Sequence, residues 1–492
     1  MRSLSVFIAF IFLFPLLGVA SNIEVSNVAL TGKNEVANTY QVQFDLSWEH
    51  SWRTSTLESN WDAAWVVLKF RVTPQTAWTH ATLVTSGFVF PVGVTGDFAS
   101  TTGVFIYRSL DGIGDFNATG LELRWNYGAV PDDAIVEICV VAIEMVYIPE
   151  GGFVVGDNSP NPDGNFQAGI STNSYPISSE NAITLGGTSS TNLNVLNASN
   201  FPIDDFSNTV TQALPAAFPK GYNDFYVMKY ETSQQQYVDF LNKLPATATA
   251  SRYDAVNVGS AGYNITNTGA PPEIYSSSTP DRPCNFLSWP DLAAYADWIG
   301  LRPITELEFE KACRGSRPSA PDEFAWGNSF LTNSVYTFIN EGLPNEMVSN
   351  PATRTGNAIY AITAAGVNMP RRCGIMAASA VNPSREETGG SYFGVMEFTG
   401  NLWELVITVG NAEGRQFTGL HGNGVINADG NSTVGSTWPN VTSIPIADGT
   451  GLRGGSVVSL TNRLTISNRD LANFDISGRF SDASGRLGRT AP

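Results

Sequence analysis

Cysteine and histidine are scarce. The 492 residues hold four cysteines, Cys139, Cys284, Cys313 and Cys373, and three histidines, His50, His80 and His421. No two cysteines stand in Cys-x-x-Cys spacing and the histidines are scattered, so zinc or iron ligation has no case in the sequence. A Cys284–Cys313 disulfide is compatible with an oxidising compartment, but spacing establishes no connectivity. Charge is also sparse, at 15% of residues, and basic residues are the rarer kind: 27 Lys and Arg against 45 Asp and Glu, a formal net charge of -18. A chain this acidic repels nucleic-acid phosphates and anionic lipid surfaces, which sets both aside as partners. The charge reads as solubility in an exported state, with affinity for cations as the functional alternative. Beyond the N-terminus no apolar run is long enough to span a bilayer.

What is abundant points to a folded, loop-rich protein. Hydrophobic residues make up 42% and aromatics 11%, with 46 glycines and 27 prolines. That mixture suits β-rich architecture better than a helical bundle, and the length calls for two or more domains. The first twenty residues, MRSLSVFIAFIFLFPLLGVA, place a basic Arg2 before an apolar run from Val6 to Leu17 and end on small residues. This is the pattern of a secretory signal peptide (1–20), cut after Ala20. No cysteine follows the run, so a lipid anchor of the bacterial kind has no attachment point.

Period-two alternation marks the next stretch as strands. Tyr40, Val42, Phe44, Leu46 and Trp48 alternate with polar residues, as do Leu121, Leu123, Trp125 and Tyr127. AWVVLKFRV and AIVEICVVAIEMVYI are continuously apolar, as strands covered on both faces are. A β-sandwich over residues 22–143 follows. A second unit, 145–492, opens at MVYIPEGGFVVGD. Within it, residues 158–215 are rich in Ser, Asn, Gly and Pro and read as a surface excursion. Three short helices have legible starts. Ser233 with Gln236, Ser288 with Asp291 and Thr305 with Glu308 fit capping boxes, Pro290 suits a first turn, and Gly300 and Gly315 mark ends. From residue 316 onward Gly, Asn and Ser dominate. So much irregular chain must satisfy its backbone through turns, side chains, water or bound ions. The expected class is α+β.

Five segments together resemble the formylglycine-generating, or sulfatase-modifying factor, superfamily: MVYIPEGGFVVGD, FYVMKYETSQQQYVDFLNKL, CNFLSWPDLAAYADWIGLRPITELEFEKACRG, GVMEFTGNLWELV, and GLRGGS with the later Asn468 and Arg469. They run in the family's order over 145–492, leaving the sandwich outside. The resemblance implies a variant C-type-lectin-like fold. In the family's oxidases, which convert a substrate cysteine to formylglycine, two copper-binding cysteines follow the Gly-Gly-Ser turn. Carried onto this chain, those positions fall at Ser459 and Leu464. A hydroxyl and an aliphatic side chain are not the soft thiolate donors that copper requires, so no copper and no catalytic residue is expected. Another branch uses histidine-bound iron, and three dispersed histidines do not resemble its cluster. A relocated thiol pair among Cys284, Cys313 and Cys373 would need sulfurs within bonding distance.

The family's Gly-Asn-x-Trp-Glu motif forms a calcium site. Its matching positions are the Glu397 and Glu404 carboxylates and the Gly400 and Leu402 carbonyls, hard oxygens suited to a structural calcium. The family more often has Asn or Asp at the position of Glu397. DNSPNPDGN (157–165) and NADGN (427–431) lack calcium-loop spacing and read as turns. Arg453, Arg463, Arg469, Arg479, Arg486 and Arg489 either recognise sulfate or carboxylate groups or lock Asp470, Asp475 and Asp482 in a buried network, the structural role being favoured. Trp403 is expected in the core. The expected function is that of an exported, non-catalytic binding or structural scaffold at the cell surface, outside the cell or in the periplasm of a bacterium. The sandwich would serve as spacer or adhesion unit, with a protein or surface glycan as partner and self-assembly open. The alternatives are a divergent oxidase acting on sulfatase cysteines and a calcium-dependent glycan-binding protein.

Overall fold

The computed structural model describes residues 23–160, 163–197, 204–269, 274–435, 437–442, 444, 447–476 and 478–492. The expected signal peptide lies outside the described residues.

The alternating segments form long strands. Thr39–Arg53 pairs with Glu24–Asn34 and with Gly112–Asn126, which also pairs with Thr82–Val89, giving one four-stranded antiparallel sheet. Val42, Phe44, Leu46, Trp48, Leu121, Leu123 and Trp125 turn inward from it. Opposite lies a sheet built on Asp62–Val72, Gly103–Arg108 and Val136–Ile148. Its residues Ala64, Val66 and Leu68 close the sandwich core, while Ala63, Trp65 and Val67 on the other face enter the main core of the second unit. Both faces are buried, which is why this segment reads as a continuous apolar run.

The expected junction between residues 143 and 145 falls inside the single strand Val136–Ile148. Along its length the strand pairs with Asp62–Val72, and its end pairs with Phe225–Met228, where Met145 faces Met228 and Ile148 faces Phe225. Leu487–Thr490 and Arg302–Pro303 extend the same sheet. Sandwich and second unit thus share a sheet, and no linker separates them.

Residues 158–215 differ from the expected surface excursion. Asp163–Ala168, Leu193–Asn197, Ile183–Leu185 and Gln212–Leu214 form a four-stranded sheet. Phe166, Leu185, Leu193, Phe206 and Leu214 from this stretch are buried in the main core. The strands are three to six residues long and joined by Gly- and Ser-rich turns, too short for a period to show.

All three capping boxes form. Ser233, Ser288 and Thr305 start Gln234–Leu241, Trp289–Ile299 and Glu306–Arg314, and in each the side chain three residues on returns a bond to the cap. Gly300 ends the second helix in a left-handed conformation, φ 74°. Beyond residue 316 the elements shorten to between two and five residues, and side chains satisfy the backbone. The Asp297 carboxylate accepts from the amides of Asn423 and Thr433. Asn427 accepts from those of Asp429 and Asn431, so NADGN closes on itself as a turn.

Candidate functional site

The Gly-Gly turn and the Gly-Asn-Leu-Trp-Glu loop meet in space. Trp403–Ile407 lies antiparallel to Thr450–Arg453 and parallel to Ala483–Ser484. The Gly400 amide donates to the Gly454 carbonyl at 2.9 Å and the Val457 amide to the Asn401 carbonyl at 2.8 Å. Gly455 has φ 75°, and a Cβ on it would sit 2.5 Å from Leu464 Cδ2, so the turn requires glycine there.

Behind the turn the chemistry is that of packing. The Ser459 hydroxyl accepts from the Ser456 amide at 2.9 Å and lies 3.2 Å from the Ser456 hydroxyl, which donates to Asp482 at 2.9 Å. Leu464 is fully buried with Trp326, Ala358 and Tyr360. Cys284 and Cys313 are both free thiols, so the Cys284–Cys313 pairing is not formed. The reason is placement: Cys284 belongs to the main core and Cys313 to a separate cluster around Phe309 and Phe398. Cys373 donates weakly to the Glu231 carbonyl, 3.7 Å away. Burial pushes the thiols of Cys284, Cys313 and Cys373 well up, which keeps them protonated.

The four positions expected to hold calcium share one loop, but their side chains are not equally free. Glu404 is fully buried and grips Arg486 with both oxygens, Oε1 2.5 Å from Nη2 and Oε2 2.7 Å from Nε. Arg486 Nη1 donates onward to the carbonyls of Met228 and Lys229. Glu397, on left-handed backbone at φ 57°, accepts from the Gly374 amide through Oε1, and its buried Oε2 has no partner. Burial pushes its carboxyl up to about 7, against the nearby Arg486 guanidinium. Glu231, absent from the expected set, anchors the loop by accepting from the Leu402 amide at 2.9 Å and the Asn401 side chain at 2.6 Å. Burial, with repulsion from Glu404 and Glu397, pushes it well up. Calcium needs six to eight oxygens, several of them charged. Glu404, one of the two carboxylates expected to supply them, is committed to a guanidinium, so that as arranged Glu397 alone offers the loop a carboxylate oxygen without a partner.

Most of the C-terminal arginines serve a buried network, as the favoured reading held, but with other partners. Glu306, at the start of its helix, accepts from Arg453 at 2.9 Å and Arg469 at 2.7 Å. Arg469 also reaches Asp204, Arg453 reaches Glu310, and Arg479 clasps Asp291. Of the three aspartates expected to be locked, Asp470 alone forms an ion pair among the described residues, with Arg463 at 3.3 Å. Asp475 accepts from the Ala447 amide and Asp482 from Ser456. Trp403 is in the core. His80 and His421 are held neutral, pushed down to about 3 and about 2 by burial.

The family described as "Sulfatase-modifying factor enzyme 1-like domain" matches residues 139–481. The chain is similar to the formylglycine-generating enzyme of Thermomonospora curvata, 32% identical over 146 residues, which is 23% of this chain and 47% of that protein. It is also similar to the formylglycine-generating enzyme of Bos taurus, 45% identical over 49 residues, 10% of this chain and 13% of that one. The matched parts thus span about half or less of these relatives' length. Among solved structures, Treponema denticola variable protein 1 aligns over 71% of this chain and 96% of its own, at 12% identity and a TM-score of 0.32, too low for structural argument.

Proposed function

This chain belongs to the family of sulfatase-modifying factor enzyme 1-like domains, and we propose that it is an exported, non-catalytic binding protein in which the family's frame is retained and its thiol chemistry is absent. The observation that carries this reading is the segment behind the Gly-Gly turn: Ser459 is engaged with Ser456, and Leu464 is packed in a small core, at the positions where the resemblance places paired sulfurs. Copper bound by hydroxyl and hydrocarbon lacks the soft donors that hold and activate it. The proposal extends to a C-type-lectin-like frame, supported by short strands, few helices and long irregular segments in the second unit. Export is supported by the apolar N-terminal run. At the Gly-Asn-Leu-Trp-Glu loop, Arg486 supplies the positive charge, and calcium becomes an occupant only where Arg486 is displaced.

The test is to incubate the purified protein with copper, oxygen, a thiol reductant and a sulfatase-derived cysteine peptide, and to follow the peptide by mass spectrometry. No formylglycine is expected. Its appearance would favour the divergent oxidase and overturn the reading.

A further inference from the structure

Where the sandwich meets the second unit, a cleft of about 540 Å³ opens to solvent. That is the size of a small-molecule site, far above a packing void. Three distant stretches build it. Glu49 and Trp52 come from the sandwich strand Thr39–Arg53, Tyr230 follows the strand Phe225–Met228, and Arg372, Arg385 and Met396 come from the irregular half of the second unit. The added sandwich is therefore one wall of the cavity.

The lining combines flat apolar surface with two arginines that form no close ion pair among the described residues. The Trp52 indole is steadied by its N–H donating to Asn60 at 3.4 Å, and its ring fits because position 394 is glycine: a Cβ there would lie 3.0 Å from it. Burial keeps the Tyr230 phenol protonated. Lys229 is not free, since its ammonium is 2.5 Å from Glu144. The arginines differ. Arg372 is 2% exposed, its Nε donates to the Glu346 carbonyl, and its buried Nη1 has no partner. Arg385 is half-buried with its guanidinium 5.0 Å above the Tyr392 ring, and Arg372 feels the charge of Asp281 without a close ion pair among the described residues. Of the other buried guanidinium groups, those of Arg302, Arg314, Arg453, Arg469 and Arg486 are matched to carboxylates, while Arg489 donates to the carbonyls of Gly300 and Ala99.

We infer that this cleft binds a small molecule with a flat apolar body and one anionic head, an aryl carboxylate or aryl sulfate, the body against Trp52 and the head on Arg385 and Arg372. A carboxylate or a sulfate presents two adjacent oxygens to the guanidinium fork, and an indole face suits an aromatic ring. Glu49 at the rim and the net charge of -18 select against polyanions. This deepens the binding function proposed above. Peptide conversion would sink the non-catalytic reading and leave the cleft untouched, so the two fail separately.

The experiment titrates the full chain with 2-naphthoate, 2-naphthyl sulfate and neutral 2-naphthol, read by calorimetry and tryptophan fluorescence. At least one anion should bind with a Kd under ~1 mM and about tenfold more tightly than naphthol, the scale of one charge-assisted hydrogen bond. The stronger of the two anions identifies the head group. Arg385→Gln should erase the preference over naphthol, and Ala378→Trp, which fills the wall from an exposed position, should abolish binding of all three. Unchanged melting temperatures show that the variants fold; if Ala378→Trp does not fold, Arg385→Gln carries the decision. Binding of neither anion, equal binding of naphthol, or an Arg385→Gln variant that keeps the preference overturns the inference.

Discussion

Lys229, just past the strand Phe225–Met228, sits 2.5 Å from the Glu144 carboxylate and 4.0 Å from Asp62, both on strands of the sandwich. Asp62 in turn accepts from the Trp48 indole and the Ser51 hydroxyl. Burial alone would lower the Lys229 ammonium, but Glu144 and its other neighbours hold it above the ordinary lysine value, so it stays charged. The knot lies where the shared sheet passes from one unit to the other.

Breaking this knot should therefore be felt by both units. Lys229→Met leaves two carboxylates buried without their cation and should cost about 3–5 kcal/mol in urea unfolding. Because one sheet runs through both units, calorimetry should show a single transition in the native protein, not a separate melt of the sandwich. Two well-resolved transitions would mean that the units are energetically independent.

Arg486 has the same relation to Glu404, and its removal should be comparably severe, about 3–5 kcal/mol for Arg486→Met, with Glu404→Gln in the same chain recovering part of the loss. If Arg486 is the resident cation of the loop, a chelator should leave the native melting temperature within about 1 °C, whereas a bound ion would stabilise in proportion to its occupancy. A large fall on chelation, reversed by calcium, would show that the metal displaces the arginine.

Glu397 predicts a pH response. Its carboxyl is pushed up to about 7 in the folded state from an ordinary 4.5. Between those values the native state holds the proton and the unfolded chain has released it, so stability from this group increases as pH falls from about 7 toward 4.5 and diminishes as pH rises. The gain should be on the order of 1–3 kcal/mol. Glu397→Gln, which imitates the protonated form, should flatten that part of the urea-stability profile. An unchanged profile in the variant would assign the response to other buried acids, such as Asp157, which burial pushes up to about 6.

Thiol reactivity gives a further check. Cys284, Cys313 and Cys373 are buried and Cys139 is half-buried. A disulfide-exchange reagent should label Cys139 slowly and spare the other three until the protein is unfolded, when all four should react. Fewer than four thiols after unfolding without reductant would reveal a disulfide.

Much of the local structure is legible in the residues. Ser233, Ser288 and Thr305 start helices because a side-chain oxygen and an amide three residues on are neighbours in any chain that turns there, and the alternation of Val42, Phe44, Leu46 and Trp48 is enough to orient a strand. The Gly-Gly turn and the Gly-Asn-Leu-Trp-Glu loop are likewise each identifiable, since the resemblance of each is carried by contiguous residues, but that the two meet is decided by the fold. Partnership across the chain is another matter. Arg486 and Glu404 are 82 residues apart, and Arg469 and Glu306 are 163. Their identities announce charge, but which carboxylate meets which guanidinium depends on the packing of whole sheets. For the same reason the burial of Phe166, Leu185, Leu193, Phe206 and Leu214, the passage of one strand through the expected domain boundary and the cleft between Trp52 and Arg385 left no local signal. Sequence spacing governs what neighbours along the chain can do for one another; only folding brings together groups whose separation along the chain carries no period.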